Sequence, residues 1–131
     1  MAGLGGTARV VADLHEWDYG FYEGLTTGEI QEERPGWTIW GADVPDGETL
    51  EQVSARADRV LVELRSGGGD AVVFSHGHFL RVLAARWVGL EASAGAVLAL
   101  DPATVSVLGH EHERTVVREW NAGCEASAPG G

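Results

Sequence analysis

The chain of 131 residues contains one cysteine, one methionine and four prolines, and its nine basic residues are all arginine. A lone thiol, Cys124, has no second cysteine to pair with, so the fold does not depend on an internal disulfide. No apolar run approaches the roughly 20 residues that cross a bilayer. The opening MAGLGGTARVVADLHEWD has no basic stretch leading into an apolar one, as a secretory signal would. A cytoplasmic location is therefore expected. Positive charge is scarce: 9 arginines stand against 20 acids, a net charge of −11. A field of that sign repels nucleic-acid phosphates and anionic lipid, so neither nucleic acid nor membrane is expected as a partner. An anionic ligand would have to be met by a local cluster of donors.

With 44% apolar and 22% charged residues the composition is that of a soluble globular domain. A chain of this length can bury roughly 65–70% of its unfolded surface, enough for one core. The expectation is a single domain over 1–131, with its patterned part between about Val10 and Asn121 and a tail of small residues over 122–131.

The alternation of patterns is α/β. Val10 and Val11 suit a short strand. Residues 15–47 are irregular and rich in Trp, Gly and acids; within them Thr26 and Glu29 form a capping-box pattern that opens a short helix ended by Pro35-Gly36. The clearest helix runs from about Glu48 to Ser66, where Leu50, Val53, Ala57, Val60, Leu61 and Leu64 share one face. Asp46 or Thr49 can cap it, and Gly67-Gly68-Gly69 stops it. Ala71 to Ser75 is an apolar run ending in a small polar residue, the pattern of a strand buried on both faces of a parallel sheet. A second helix follows with Leu80, Leu83, Ala84, Trp87 and Val88 on one stripe and Gly89 as its stop. Further strands are expected near Ala96–Leu100, Thr104–Gly109 and Thr115–Trp120, the later ones antiparallel at a sheet edge.

Chemistry concentrates at two places. In VVFSHGHFLRVL a strand passes through Ser75-His76-Gly77-His78 directly into a helix, which sets His76 at the carboxyl end of a parallel strand, where open α/β sheets bind ligands. Gly77 allows the tight turn, and the free N–H groups of the new helix make an anion site. A histidine there serves either as a nucleophile or as a donor to a phosphoryl group; the plainer reading is a turn with two polar residues. In LHEWDYGFYEG, Glu16 and Asp18 flank Trp17, with Tyr19, Tyr22 and Glu23 close behind. Acids beside aromatics in irregular backbone suit a partly buried general acid, or simply an acidic loop anchored by its rings. The five histidines offer no tight ligand set, so no metal is expected. Trp37 and Trp40 could close over a ligand or plug the core under a long loop, and plugging is the commoner use of Trp.

Taken in order, LHEWDYGFYEGLT, the PDGET entry to the long helix and VVFSHGHFLRVLAARW closely resemble the histidine phosphatase superfamily, which includes the phosphoglycerate mutase-like phosphatases. The likeness runs from about Val10 to Asn121 and corresponds to the C-terminal two thirds of such a domain. It implies a phosphoglycerate mutase-like three-layer α/β sandwich, here incomplete, with a mainly parallel sheet and an antiparallel C-terminal edge. In the family a histidine in an Arg-His-Gly motif takes up a phosphoryl group from a phosphomonoester, a glutamate serves as acid and then base, and a second histidine binds the phosphoryl group, with no metal and no cofactor. Carried over by position, Glu16 matches the acid and His76 the second histidine, with Gly77 beside it and Tyr19 as a candidate for substrate binding. Glu48 matches a family glutamate that looks set to fix the start of the long helix.

No Arg-His-Gly and no Ser-Pro-x-x-Arg occurs in this sequence. The resemblance therefore implies a truncated or inactive form of a phosphomonoesterase, or a non-catalytic partner that binds a phosphate ligand or takes part in assembly. The expected ligand is a small phosphomonoester or phosphate. A sheet without its central strand exposes unpaired edges, so a homodimer through that edge, or aggregation, is expected.

Overall fold

A computed structural model describes residues 12–123. Helix α1 spans Thr27–Glu33, α2 Leu50–Gly67 and α3 Gly77–Trp87; strands β1 (Thr104–Glu111) and β2 (Arg114–Gly123) form an antiparallel hairpin. Short 3-10 turns occupy Ala12–Leu14, Gly20–Tyr22 and Ala92–Val97.

Two of the helices start on their own local signals. The Thr26 hydroxyl accepts from the Glu29 N–H while the Glu29 carboxylate accepts from the Thr26 N–H, and Thr49 and Gln52 do the same for α2. Helix α2 turns Val53, Ala57, Val60 and Leu61 inward and ends at Gly68, whose φ of +67° favours glycine. It packs on α3, which buries Phe79, Val82, Leu83, Ala84 and Ala85. The buried face of α3 is broader than the stripe expected from Leu80, Leu83, Ala84, Trp87 and Val88, because α3 is covered by both α2 and the Ala92–Val97 turn. Trp17, Ile30, Trp37, Ile39 and Val44 join these side chains in one core. Trp37 is a plug: it is buried, and its indole N–H donates to the Asp43 carbonyl.

The hairpin seats on α3 through Trp87, whose indole N–H reaches the carbonyls of Gly109 and Val116 at 3.1 Å each. These two residues are partners in the ladder, so a single donor fixes its middle. The architecture is an α/β fold in which the expected antiparallel C-terminal strands form a two-stranded sheet; the mainly parallel sheet expected beside them has no strand pair among the described residues.

Two expected strands take other forms. Residues 71–76 form neither helix nor strand: among the described residues they have no ladder partner, and Phe74 is 84% exposed. Their apolar character suits burial in a sheet, but extended backbone becomes a strand only when neighbouring strands take up its N–H and C=O groups. The segment around Ala96–Leu100 is the end of a 3-10 turn followed by irregular chain. Gly95 there lies under Trp40, where a Cβ would come within 2.8 Å of the ring. The strand expected at Val10 and Val11 lies outside the described residues. No helix among the described residues is long and apolar enough to cross a membrane.

Candidate active site

Glu16 follows the first 3-10 turn, in irregular chain strapped to α2. The strap is Arg56, only 3% exposed although charged. Its guanidinium donates to both carboxylate oxygens of Glu48 (2.8 and 2.9 Å) and to the carbonyls of Asp13 (2.6 Å), His15 (2.8 Å) and Glu16 (3.3 Å). Its flat face lies over the Phe79 ring, 4.5 Å from the centroid. Glu48 also accepts from the Asp18 N–H, and its backbone carbonyl accepts from the Trp17 indole. Burial raises the Glu48 carboxyl, but the Arg56 hydrogen bonds and the Asp18 N–H outweigh it and hold the group below its usual value. The start of α2 belongs to Thr49, so the expected role of Glu48 gives way to a different one: it pairs with Arg56 and the Asp18 backbone.

This strapping delivers the Glu16 carboxylate to the start of α3. One oxygen accepts from the Phe79 N–H at 2.8 Å and from the Trp17 N–H at 2.9 Å; the other accepts from the His78 N–H at 3.1 Å. The N-cap position of α3 is His76, whose side chain makes no cap hydrogen bond. Glu16, from 62 residues earlier, takes its place. The N–H of Gly77, the first residue of α3, has no partner among the described residues.

Beside this junction the Tyr19 hydroxyl meets His78 Nδ1 at 2.6 Å. Burial, reinforced by the nearby Glu16 charge, pushes the Tyr19 phenol far above its usual value. Burial also lowers His78, against the attraction of Glu16, with Arg81 adding to the lowering. Which of the two donates is set by the His78 tautomer. The rings of Trp17, Tyr19 and Trp40 pack around His78 with centroids 5.7–6.3 Å away. Arg81 stacks over Trp40 and donates to the carbonyls of Gly95 and Ala96, while Arg86 is forked onto Asp58.

Glu16, Gly77 and Tyr19 thus lie together, and His78 joins them. The His76 ring is exposed and shares no hydrogen bond or ring contact with these residues. An open groove of about 470 Å³ is lined by Asp18, Glu48, Gln52, Arg56 and Arg59 among others, and by none of Glu16, Tyr19, His76 and Gly77. Among the described residues no three His, Cys, Asp or Glu side chains stand together as metal ligands would. Arg56 is the residue that sequence reasoning missed. Its signal was present: an arginine beside Ala57, on the same stripe as Val53 and Val60, is drawn into the core and needs a carboxylate there.

The chain has known relatives. The chain is 43% identical over 106 residues to an acid phosphatase of Mycobacterium tuberculosis, covering 79% of this chain and 52% of that protein. It is 40% identical over 102 residues to sedoheptulose 1,7-bisphosphatase of Saccharomyces cerevisiae, covering 63% of this chain and 37% of that protein. The chain thus spans about half, or less, of the length of these curated relatives. A solved structure of a Mycobacterium tuberculosis open reading frame product superposes with a TM-score of 0.83 at 36% identity, over 92% of this chain and 64% of that one. A mycobacterial glucosyl-3-phosphoglycerate phosphatase solved with inorganic phosphate gives 0.74 at 26% identity, over 89% and 66%. A family model matches residues 1–123, so the loop at Glu16, the strap at Arg56 and the turn into α3 all lie in a chain that belongs to the histidine phosphatase superfamily, branch 1.

Proposed function

We propose that this chain carries the phosphate-binding and proton-transfer half of a phosphomonoesterase site. Without an Arg-His-Gly it binds a small phosphomonoester or phosphate but does not turn it over alone. The observation that carries this reading is the Glu16 carboxylate on the N–H groups of His78 and Phe79, next to the open Gly77 N–H. A phosphoryl group reaching Gly77 would meet that donor and the positive end of α3. His76 follows as its second donor, since an exposed imidazole on the residue before Gly77 can swing toward the same anion. The phosphoryl group would stand beside the Glu16 carboxyl, the group that the family likeness casts as acid for the leaving oxygen. Tyr19 completes the wall of the site through His78. A cytoplasmic location and independence of metals and cofactors belong to the same reading.

Hydrolysis of p-nitrophenyl phosphate by the purified chain, beside Glu16→Gln and His76→Ala, tests turnover, and calorimetric titration with phosphate and vanadate tests binding. Binding weakened by both substitutions, without turnover, is the expected result. Turnover abolished by either substitution would mean that another group serves as nucleophile. A folded chain that binds neither anion would remove the phosphate site. The second reading, a partner in assembly, draws on the exposed Val72 and Phe74 of the unpaired segment, through which the chain would meet a second copy.

A further inference from the structure

We infer that Arg56 is the positioning residue for Glu16: it sets the carboxylate on the first turn of α3 by gripping both partners of that contact. This rests on the proposed role of Glu16, but its geometry can be tested apart from that role. On one side the guanidinium holds the backbone of the glutamate's own segment, through the carbonyls of Asp13, His15 and Glu16. On the other it stacks on Phe79, whose N–H is the shortest donor to the Glu16 carboxylate at 2.8 Å. One buried side chain of α2 therefore spans the joint between the Glu16 loop and α3.

Residues 15–18 belong to no helix or ladder. The Trp17 indole and the Asp18 backbone reach the start of α2 through Glu48, which is itself oriented by the Arg56 fork. The Trp17 ring and the Tyr19 hydroxyl add side-chain contacts to His78. Ser75 adds one hydrogen bond to the Leu14 carbonyl. Lysine cannot replace the fork. Its ammonium is a point charge with three donors and no flat face, so it cannot serve Glu48 and three carbonyls while stacking on a ring. Arg59, one turn further along α2, provides the contrast. It is 59% exposed in its side chain and forks onto the side chain of Asp13, without reaching Glu16 or Phe79.

The test is amide hydrogen exchange by NMR on the whole chain, read at His78 and Phe79 against Leu83 and Ala84 in the same helix, with the ¹³C signal of the Glu16 carboxyl. In Arg56→Lys the protection of His78 and Phe79 is expected to fall at least tenfold and the Glu16 signal to move, while Leu83 and Ala84 hold and Arg59→Lys changes nothing. Glu16→Gln gives the reference for losing the contact itself. Glu48→Gln keeps the side-chain shape, removes the ion pair that orients Arg56, and is read in the same way if Arg56→Lys does not fold. Unchanged protection at His78 and Phe79 in a folded variant overturns the inference. A uniform loss along α3 in both variants also overturns it, by assigning Arg56 to general stability. None of these readings needs phosphate binding or turnover, so failure of the proposed function leaves this result intact, and the reverse.

Discussion

Tyr19 and His78, 59 positions apart, are joined by a 2.6 Å hydrogen bond between the phenol oxygen and Nδ1. Burial lowers His78 from its ordinary 6.5, against the pull of Glu16, with Arg81 adding to the lowering.

That depression fixes the sign of a pH dependence. Between the folded value and 6.5 the unfolded chain holds the proton and the folded chain does not, so stability falls as pH is lowered through this window. Urea midpoints should drop between pH 7.5 and 5.5, and His78→Gln should flatten this segment of the curve. An equal slope in the variant would show that His78 is not its source.

Glu48 governs a lower range. Its folded value lies below 4.5, so its contribution is present above that pH and is lost as pH falls through the folded value. Glu48→Gln should cost roughly 2–3 kcal/mol at pH 7, since it breaks a buried charge-assisted fork. It should also shallow the acid limb measured by circular dichroism. A cost near zero would mean that Arg56 is satisfied by its carbonyls alone.

Gly20 holds the Tyr19 turn against the loop that precedes α2. A Cβ there would lie 2.4 Å from the backbone of Pro45, Asp46 and Gly47, at a φ of +51°. Backbone cannot move aside as a side-chain tip can, so Gly20→Ala should lower stability by about 2–4 kcal/mol, adding overpacking to the left-handed penalty. Gly24→Ala, at φ +87° with nothing within 4 Å, should show the conformational penalty alone, about 1 kcal/mol. Similar melting shifts for the two would refute the steric account.

Phe74 is 84% exposed on a segment without a ladder partner among the described residues. Phe74→Ser should therefore leave the unfolding free energy within about 0.5 kcal/mol of the parent, and under the proposed assembly reading it should lower self-association measured by light scattering. A substitution that melts the fold, or leaves association unchanged, would place the contact surface elsewhere.

Much of this was legible because the signals are local. The capping box at Thr26, the Thr49 cap that was one of two candidates, the α2 stripe and the strands expected at Thr104–Gly109 and Thr115–Trp120 are local patterns, and each formed where its pattern stands. Glu16 and Gly77 could be paired through the family likeness, but the partner of Glu48, eight residues on within α2, was not marked by it. The misread segments, 71–75 and 96–100, failed for one reason. A strand is a relation between chains, and an apolar run states only half of it. Arg56 was hidden by its type, since a charge amid an apolar stripe reads as a surface interruption until its partners are located.

The cap on α3 bears on the order in which the chain folds. Helices α1 and α2 carry their caps three residues away and can begin on fast local contacts, whereas α3 waits for a carboxylate brought round a loop of 62 residues. Capping the first turn of α3 therefore carries the closure entropy of a long loop, which couples its opening to the docking of the Glu16 segment on α2.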